Sequence, residues 1–190
     1  MLENYHIILA SNSPRRRELL GGLGLAFDVC VIPGIDESYP AELPPMEIPV
    51  FIARRKAGAY IPCMKANDLI ITADTIVALD GGILEKPCDR DDAVRMLKKL
   101  SGRTHTVVTG VVVTAAHRQI DFSVASDVVF AALDDDEINY YVDTHHPYDK
   151  AGAYGIQEWI GYVGVQAIHG SFYNVMGLPV QRLYQELKVF

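Results

Sequence analysis

Three arginines, Arg15-Arg16-Arg17, stand directly behind Ser13-Pro14 and an apolar run, Ile7-Ile8-Leu9-Ala10. Serine is a good helix N-cap and proline a good first helical residue, so the cations fall in a first helical turn. That end of a helix already carries about half a positive charge, and each uncompensated cation there costs roughly 0.3–1 kcal/mol. The arrangement predicts an anion held nearby. Successive residues lie about 100° apart around the axis, so at most two of the three face one ligand. With Leu19, Leu20 and Leu23 as the buried stripe, Arg15 and Arg16 form the ligand pair and Arg17 faces solvent. On this segment alone, a solvated basic helix end is the plain alternative.

Asp74 is the second chemical signal, set between Ile70-Ile71-Thr72-Ala73 and Ile76-Val77. A carboxylate flanked by apolar strand must be paired, bound to a metal, or shifted upward in pKa by desolvation. A strand-end aspartate bonded to a neighbouring turn is the competing reading. A phosphatase of the haloacid dehalogenase type also places an aspartate at a strand end, but it needs a second one two residues later, where this chain has Ile76. Glu85-Lys86-Pro87 sets a lysine at a rigid turn, suited to phosphate, and Asp36-Glu37 offers a further carboxylate as a hard oxygen ligand for Mg²⁺. Either segment alone reads equally well as solvated surface.

Charge narrows the ligand. The chain of 190 residues is 49% hydrophobic, enough for one substantial core or two small lobes sharing a cleft. Its net charge of −7 argues against a nucleic-acid polymer as partner, so the local cations read as a site for a small anion. No apolar run reaches the roughly 18 residues of a membrane span, and the start lacks a signal-peptide pattern. Cys30, Cys63 and Cys88 are odd in number and widely spaced, supporting neither a disulfide framework nor a zinc site. A soluble cytoplasmic protein without a membrane partner is expected.

These groups must be positioned by a strand at 5–10, a helix at 14–24 and a strand at 26–32. A loop rich in proline and acid covers 37–49, and a helix runs from there to about residue 60. Strand segments at 69–73 and 76–79 flank Asp74, and Asp80-Gly81-Gly82 turns the chain back through Ile83 and Leu84. Asp89 caps a helix to about residue 100, with Gly102 as its stop. Strands at 107–114 and 120–132 precede a helix opened by Asp134. Further strands are expected at 152–157 and 161–168, and a last helix at 174–187. Hairpins interrupt the helix–strand alternation, so the fold class is α/β with a mixed sheet and flanking helices.

Taken in order, Leu9-Ala10-Ser11-Asn12-Ser13-Pro14-Arg15-Arg16, Asp36-Glu37, Lys56-Ala57, Ala73-Asp74-Thr75 and Glu85-Lys86-Pro87 resemble the motifs of the Maf family. Leu100-Ser101-Gly102-Arg103-Thr104-His105, Thr109-Gly110-Val111, Asp149-Lys150-Ala151-Gly152-Ala153-Tyr154-Gly155-Ile156-Gln157 and Gly177-Leu178-Pro179 continue the likeness over almost the whole chain. These are nucleoside triphosphate pyrophosphatases first associated with septum formation. The resemblance implies one domain over residues 1–190, with a mixed, bent sheet and two lobes around a deep cleft, similar to the inosine triphosphatase class. It implies hydrolysis of a nucleoside triphosphate to the monophosphate and pyrophosphate with Mg²⁺ or Mn²⁺. By resemblance Asp74 is the proton acceptor, Glu37 and Lys86 complete the catalytic set, and Glu37 with Asp74 contact the metal. Ser11, Ser13, Arg15, Arg16, Lys56, Thr75 and Gln157 are the implied substrate contacts. Direct proton transfer to Asp74 and a mainly metal-holding Asp74 both remain open.

The chemistry agrees with that assignment. A triphosphate carries about four negative charges, so attack at the α-phosphorus needs cations on the leaving pyrophosphate and a base for the water. Arg15, Arg16, Lys56 and Lys86 supply the cations. The pattern Arg15, Thr75, Gln157 resembles the dTTP/UTP pyrophosphatase subclass, whereas a subclass acting on 7-methyl-GTP reads Trp, Gln and Glu at these places. A glutamine amide offers one acceptor and one donor, matching the N3–H and adjacent carbonyl of uracil or thymine. Modified pyrimidine nucleotides are further candidate substrates. Glu158 is a departure, since the family usually has glycine after this glutamine.

A non-catalytic nucleotide-binding regulator of septum formation is the alternative to a house-cleaning enzyme. The complete set of Arg15, Arg16, Glu37, Asp74 and Lys86 favours the enzyme. His145-His146 at a helix end and His105 after a helix stop read as structural. Asp149-Lys150 reads either as part of the site or as an internal ion pair. Tyr140, Tyr141 and Tyr148 read as packing or interface residues, from which a homodimer is expected.

Overall fold

Apolar β-branched runs form the strands, and their pairing is described by a computed structural model for residues 2 and 4–190. His6–Leu9 (β1) pairs in parallel with Asp28–Val29 (β2) and with Asp68–Leu79 (β3). Gly82–Leu84 (β4) returns antiparallel on β3, with Val77 opposite Leu84. The turn between them sets Asp80 at φ 52° and Gly81 at φ 78°, the left-handed pair that a tight hairpin requires. Thr104–Ala115 (β5), Arg118–Phe130 (β6) and Val165–His169 (β7) complete a seven-stranded mixed sheet of order β2-β1-β3-β5-β6-β7, with β4 on β3. β5 is buried along nearly its whole length, whereas β6 alternates buried and exposed residues and so has one wet face.

Seven helices flank these strands among the described residues: Pro14–Gly21 (α1), Ile48–Tyr60 (α2), Arg90–Leu100 (α3), Asp135–His145 (α4), Trp159–Gly164 (α5), Phe172–Met176 (α6) and Val180–Lys188 (α7). Ser13 caps α1, Asp89 caps α3, and Asp134 with Glu137 forms a reciprocal capping box on α4.

Several elements differ from the sequence expectation. β3 is one unbroken strand through Asp74, because that side chain finds a partner and the ladder need not break. β2 is only two residues long, and α1 ends at Gly21 rather than at residue 24. No strand covers 152–157: Ala151–Ala153 forms a 3₁₀ turn with Gly152 and Ala153 at φ 70° and 60°. The expected strand at 161–168 divides between α5 and β7. The last helix is cut into α6 and α7, since Gly177 adopts φ 115° and Pro179 lacks the N–H that a continuous helix would use.

The chain divides into two compact units. The first runs to Asp74 and takes in Thr109–Val124 and Gly177–Phe190; the second comprises Thr75–Val108 and Ala125–Met176. In the first, Ala53 and Ala57 of α2 pack on Val112 of β5. A β-carbon on Gly110 would stand 2.2 Å from the Val50 nitrogen, so only glycine lets the helix backbone approach β5 this closely. Thr72 Oγ1 donates to Ala53 O at 2.8 Å and fixes the helix along β3. In the second, Leu97 and Leu100 of α3, Val128 and Phe130 of β6, and Ile138 and Tyr141 of α4 are fully buried.

Candidate active site

Parallel pairing sets Leu9 opposite Ile71, and the Ala10 N–H continues it onto Ile71 O at 2.9 Å. β1 therefore ends beside the middle of β3, just ahead of Ala73 and Asp74, and the carboxyl end of a parallel strand is where open α/β sheets bind ligands. β1 delivers the turn bearing Ser11 and Ser13, and β3 delivers Ala73 and Asp74. Arg16 joins them. Its Nη1 donates to Ala73 O at 2.9 Å and to Ser11 Oγ at 3.4 Å, and its Nε donates to Gly177 O at 2.8 Å. Desolvation lowers the pKa of this half-buried guanidinium from its ordinary value; Asp74 and Glu37 oppose that shift and Arg15 adds to it. Arg15 is half-buried and Arg17 exposed, as the helical spacing predicts, with Leu19 and Leu20 in the core.

Lys56 projects from α2 between two carboxylates. Its Nζ lies 2.8 Å from Asp74 Oδ1 and 3.1 Å from Glu37 Oε1. The Lys56 and Asp74 side chains are only 14% and 13% exposed, while Glu37 is 53% exposed. Asp74 is engaged through Oδ1 alone among the described residues. The preceding residue on α2, Arg55, binds Asp36 at 2.7 Å and the Ser38 hydroxyl at 3.0 Å, which tethers the loop carrying Glu37. Hydrogen bonds from Ser38 to both Asp36 oxygens, with Arg55 behind them, hold the Asp36 carboxyl below the usual carboxylate range. Arg55 is a contributor that sequence reasoning missed, although its place beside Lys56 was a usable signal.

The second unit holds Thr75, Lys86 and Gln157. Thr75 is half-buried, next in the chain to Asp74. Lys86 is exposed ahead of buried Pro87 and makes no ion pair among the described residues. Gln157 is half-buried, and its Oε1 is shut away from solvent without a hydrogen-bond partner among the described residues. Glu158 is satisfied internally: Lys150 Nζ lies 3.0 Å from its Oε1, and the Tyr141 hydroxyl donates to its Oε2. Lys150 is buried and also binds Asp149 at 2.7 Å, so the ion-pair reading of Asp149-Lys150 is the one observed. The Tyr141 hydroxyl accepts the Gly155 N–H at 3.0 Å, and burial together with Glu158 pushes its pKa up.

His105, His145 and Tyr141 are held in packed surroundings. His105 is 2% exposed, with Nε2 2.7 Å from the Tyr154 hydroxyl and its ring edge-on to Phe130 and Tyr154. Burial lowers its pKa to about 4, so it is neutral near pH 7. His145 stacks on Tyr141, and left-handed His146 closes α4. Tyr141 is core, whereas Tyr140 and Tyr148 are exposed.

A family model described as Maf-like protein matches residues 6–190. The chain belongs to the Maf-like family. It is 61% identical over 193 residues to a dTTP/UTP pyrophosphatase of Parabacteroides distasonis, covering all of both chains. It is 59% identical over 187 residues to a dTTP/UTP pyrophosphatase of Bacteroides thetaiotaomicron, covering 98% of this chain and 97% of the relative. Among solved structures, a HAM1 protein from Coxiella burnetii superposes with a TM-score of 0.54 at 14% identity, covering 98% of this Maf-like chain and 100% of the other, a likeness of fold alone. Among the described residues of this Maf-like protein, no helix is long and apolar enough to cross a membrane.

Proposed function

We propose that this chain hydrolyses dTTP and UTP to the nucleoside monophosphate and pyrophosphate. The observation that carries the reading is end-to-end identity of 61% with a dTTP/UTP pyrophosphatase. The Lys56–Asp74–Glu37 cluster supplies its chemistry. Water attacks the α-phosphorus, the bond from that phosphorus to the pyrophosphate oxygen breaks, and the proton from water passes to Asp74 through the carboxylate oxygen that Lys56 does not hold. Lys56 orients this carboxylate. Arg15, Arg16 and Lys86 neutralise the phosphate chain, with Ser11 and Ser13 donating at the start of α1.

Glu37 and Asp74 would hold a divalent cation. Among the described residues no group of three His, Cys, Asp or Glu gathers here, and the two carboxylates that meet at the Lys56 ammonium supply hard oxygen donors for a Mg²⁺ or Mn²⁺ that would complete its shell with phosphate and water. When bound, such an ion withdraws charge from the phosphate oxygens. Thr75 and Gln157 complete the base site, where the Gln157 carboxamide offers one acceptor and one donor to the N3–H and adjacent carbonyl of uracil or thymine; modified pyrimidines that keep this edge fit the same contacts.

A reducing compartment, the cytoplasm, accords with three free, exposed cysteines. The net charge of −7 favours a small nucleotide over a nucleic-acid polymer as partner. A homodimer through exposed Tyr140 and Tyr148 belongs to the same reading and is checked by light scattering.

The test replaces Asp74 with asparagine, which keeps shape and removes basicity. Turnover of UTP should fall by roughly 10²–10⁴ while calorimetric binding of a non-hydrolysable analogue persists. Excess EDTA should abolish wild-type activity, and Mg²⁺ or Mn²⁺ should restore it. Near-normal turnover in the variant, or full activity in EDTA, contradicts the assignment.

A further inference from the structure

Three consecutive basic residues of α2 take three different sets of partners. Arg54 clamps both oxygens of Asp121 on β6, at 2.9 and 2.8 Å. Lys56 meets Asp74 and Glu37. Arg55, between them, turns to the loop that carries Glu37. Its Nη2 donates to Asp36 Oδ2 at 2.7 Å, and its Nη1 donates to the Ser38 hydroxyl at 3.0 Å and to the Ser38 carbonyl oxygen. Successive helical residues point about 100° apart, so one turn of α2 serves all three directions. Every one of these residues belongs to the first unit.

The loop needs such a tie. Residues 33–47 form no helix or strand, and none of them is buried. Glu37 is 53% exposed, and holding a long, exposed side chain at one place costs conformational entropy unless its backbone is already fixed. Its two neighbours are fixed together: the Ser38 N–H and hydroxyl each donate to the Asp36 carboxylate at 2.9 Å, and Arg55 binds both residues. The Phe51 ring, one turn earlier on α2, lies 5.8 Å from the Arg55 guanidinium and backs it. An exposed ion pair adds little to stability. A forked guanidinium on two adjacent partners adds geometry, which a point charge would not.

We propose that Arg55 is a positioning residue: by tying Asp36 and Ser38 to α2, it places the Glu37 carboxylate at the Lys56–Asp74 pair. This rests on the reading of Glu37 as part of the catalytic set.

The experiment measures kcat and KM for UTP in the wild type, Arg55→Ala, Glu37→Ala, the double variant and Arg54→Ala, with thermal unfolding of each. Hydrogen exchange of the nucleotide-free proteins over residues 35–39 is the second readout. Arg55→Ala should speed exchange there and lower kcat about tenfold with KM little changed, since small misplacements of a reacting group are costly in rate. Glu37→Ala should lower kcat at least as far, and Arg55→Ala should cost nothing more in that background, because a residue acting through Glu37 has nothing left to place. Arg54→Ala breaks an ion pair of the same kind on the same helix and should keep wild-type kcat and exchange. If Arg55→Ala melts early, Asp36→Ala cuts the tie from the loop side and should repeat both changes. Unchanged kcat in Arg55→Ala beside a damaged Glu37→Ala overturns the positioning role alone. Near-normal turnover in Glu37→Ala overturns the reading of Glu37 and the positioning role with it. Equal loss on removing Arg55 in both backgrounds would show that Arg55 acts independently of Glu37 and also overturns the proposal.

Discussion

Lys56 donates to Asp74 across 2.8 Å, joining α2 to the acid at the end of the first unit's stretch of β3. Both side chains are largely withdrawn from water, so each is the other's main compensation for lost hydration. Replacing Lys56 with methionine leaves two carboxylates facing a neutral side chain. A hydrogen bond between charged groups is worth about 1.5–3 kcal/mol, and the exposed Glu37 pair adds little. At about 2–4 °C per kcal/mol for a chain of this size, the melting temperature should fall by roughly 3–12 °C. Millimolar Mg²⁺ should recover more of that loss in the variant than it adds to the wild type. An unchanged melting temperature contradicts the pairing.

Arg16 and Arg15 should separate in their effects. Arg16 donates to two main-chain carbonyls and the Ser11 hydroxyl, so Arg16→Ala leaves acceptors unmatched at a cost of about 1–3 kcal/mol each where they are buried. Removing Arg15 takes one like charge from the same helix start. Scanning calorimetry should find Arg16→Ala less stable than Arg15→Ala, while both weaken UTP-analogue binding. Equal stability of the two variants contradicts the anchoring role.

His105 should make the fold acid-sensitive. Its pKa is lowered by burial to about 4, below the ordinary 6.5, so the unfolded chain binds the proton more readily. Its contribution is complete above pH 6.5 and is lost as the pH falls toward 4. At 1.36 kcal/mol per unit the loss is on the order of 3 kcal/mol. Urea unfolding at pH 7 and pH 4.5 should show a larger drop in the wild type than in His105→Gln. Equal pH dependence in both proteins contradicts the assignment.

Signals that act within one turn were legible in the chain itself. Ser13, Asp89 and Asp134 fix helix starts through side chains three residues from the N–H groups they satisfy. Asp74 stood out because a carboxylate in an apolar run demands a partner, and the cation it demanded is Lys56. Partners distant in sequence were not legible: Arg16 reaches Ala73 and Gly177 across 57 and 161 residues, and nothing local marks either carbonyl. The stretch from 151 to 187 misled for another reason. Its glycines and tyrosines suit strands and turns alike, and the choice is made by the left-handed Gly152, Ala153 and Gly177 and by the Lys150–Glu158–Tyr141 contacts.

Hydrolysis of UTP in ¹⁸O-labelled water tests the central claim most directly, because the label records which phosphorus the water attacks. Mass spectrometry should find one ¹⁸O in UMP and none in the pyrophosphate released with it. Label in the pyrophosphate, or orthophosphate as the primary product, would contradict attack at the α-phosphorus and the roles built on it.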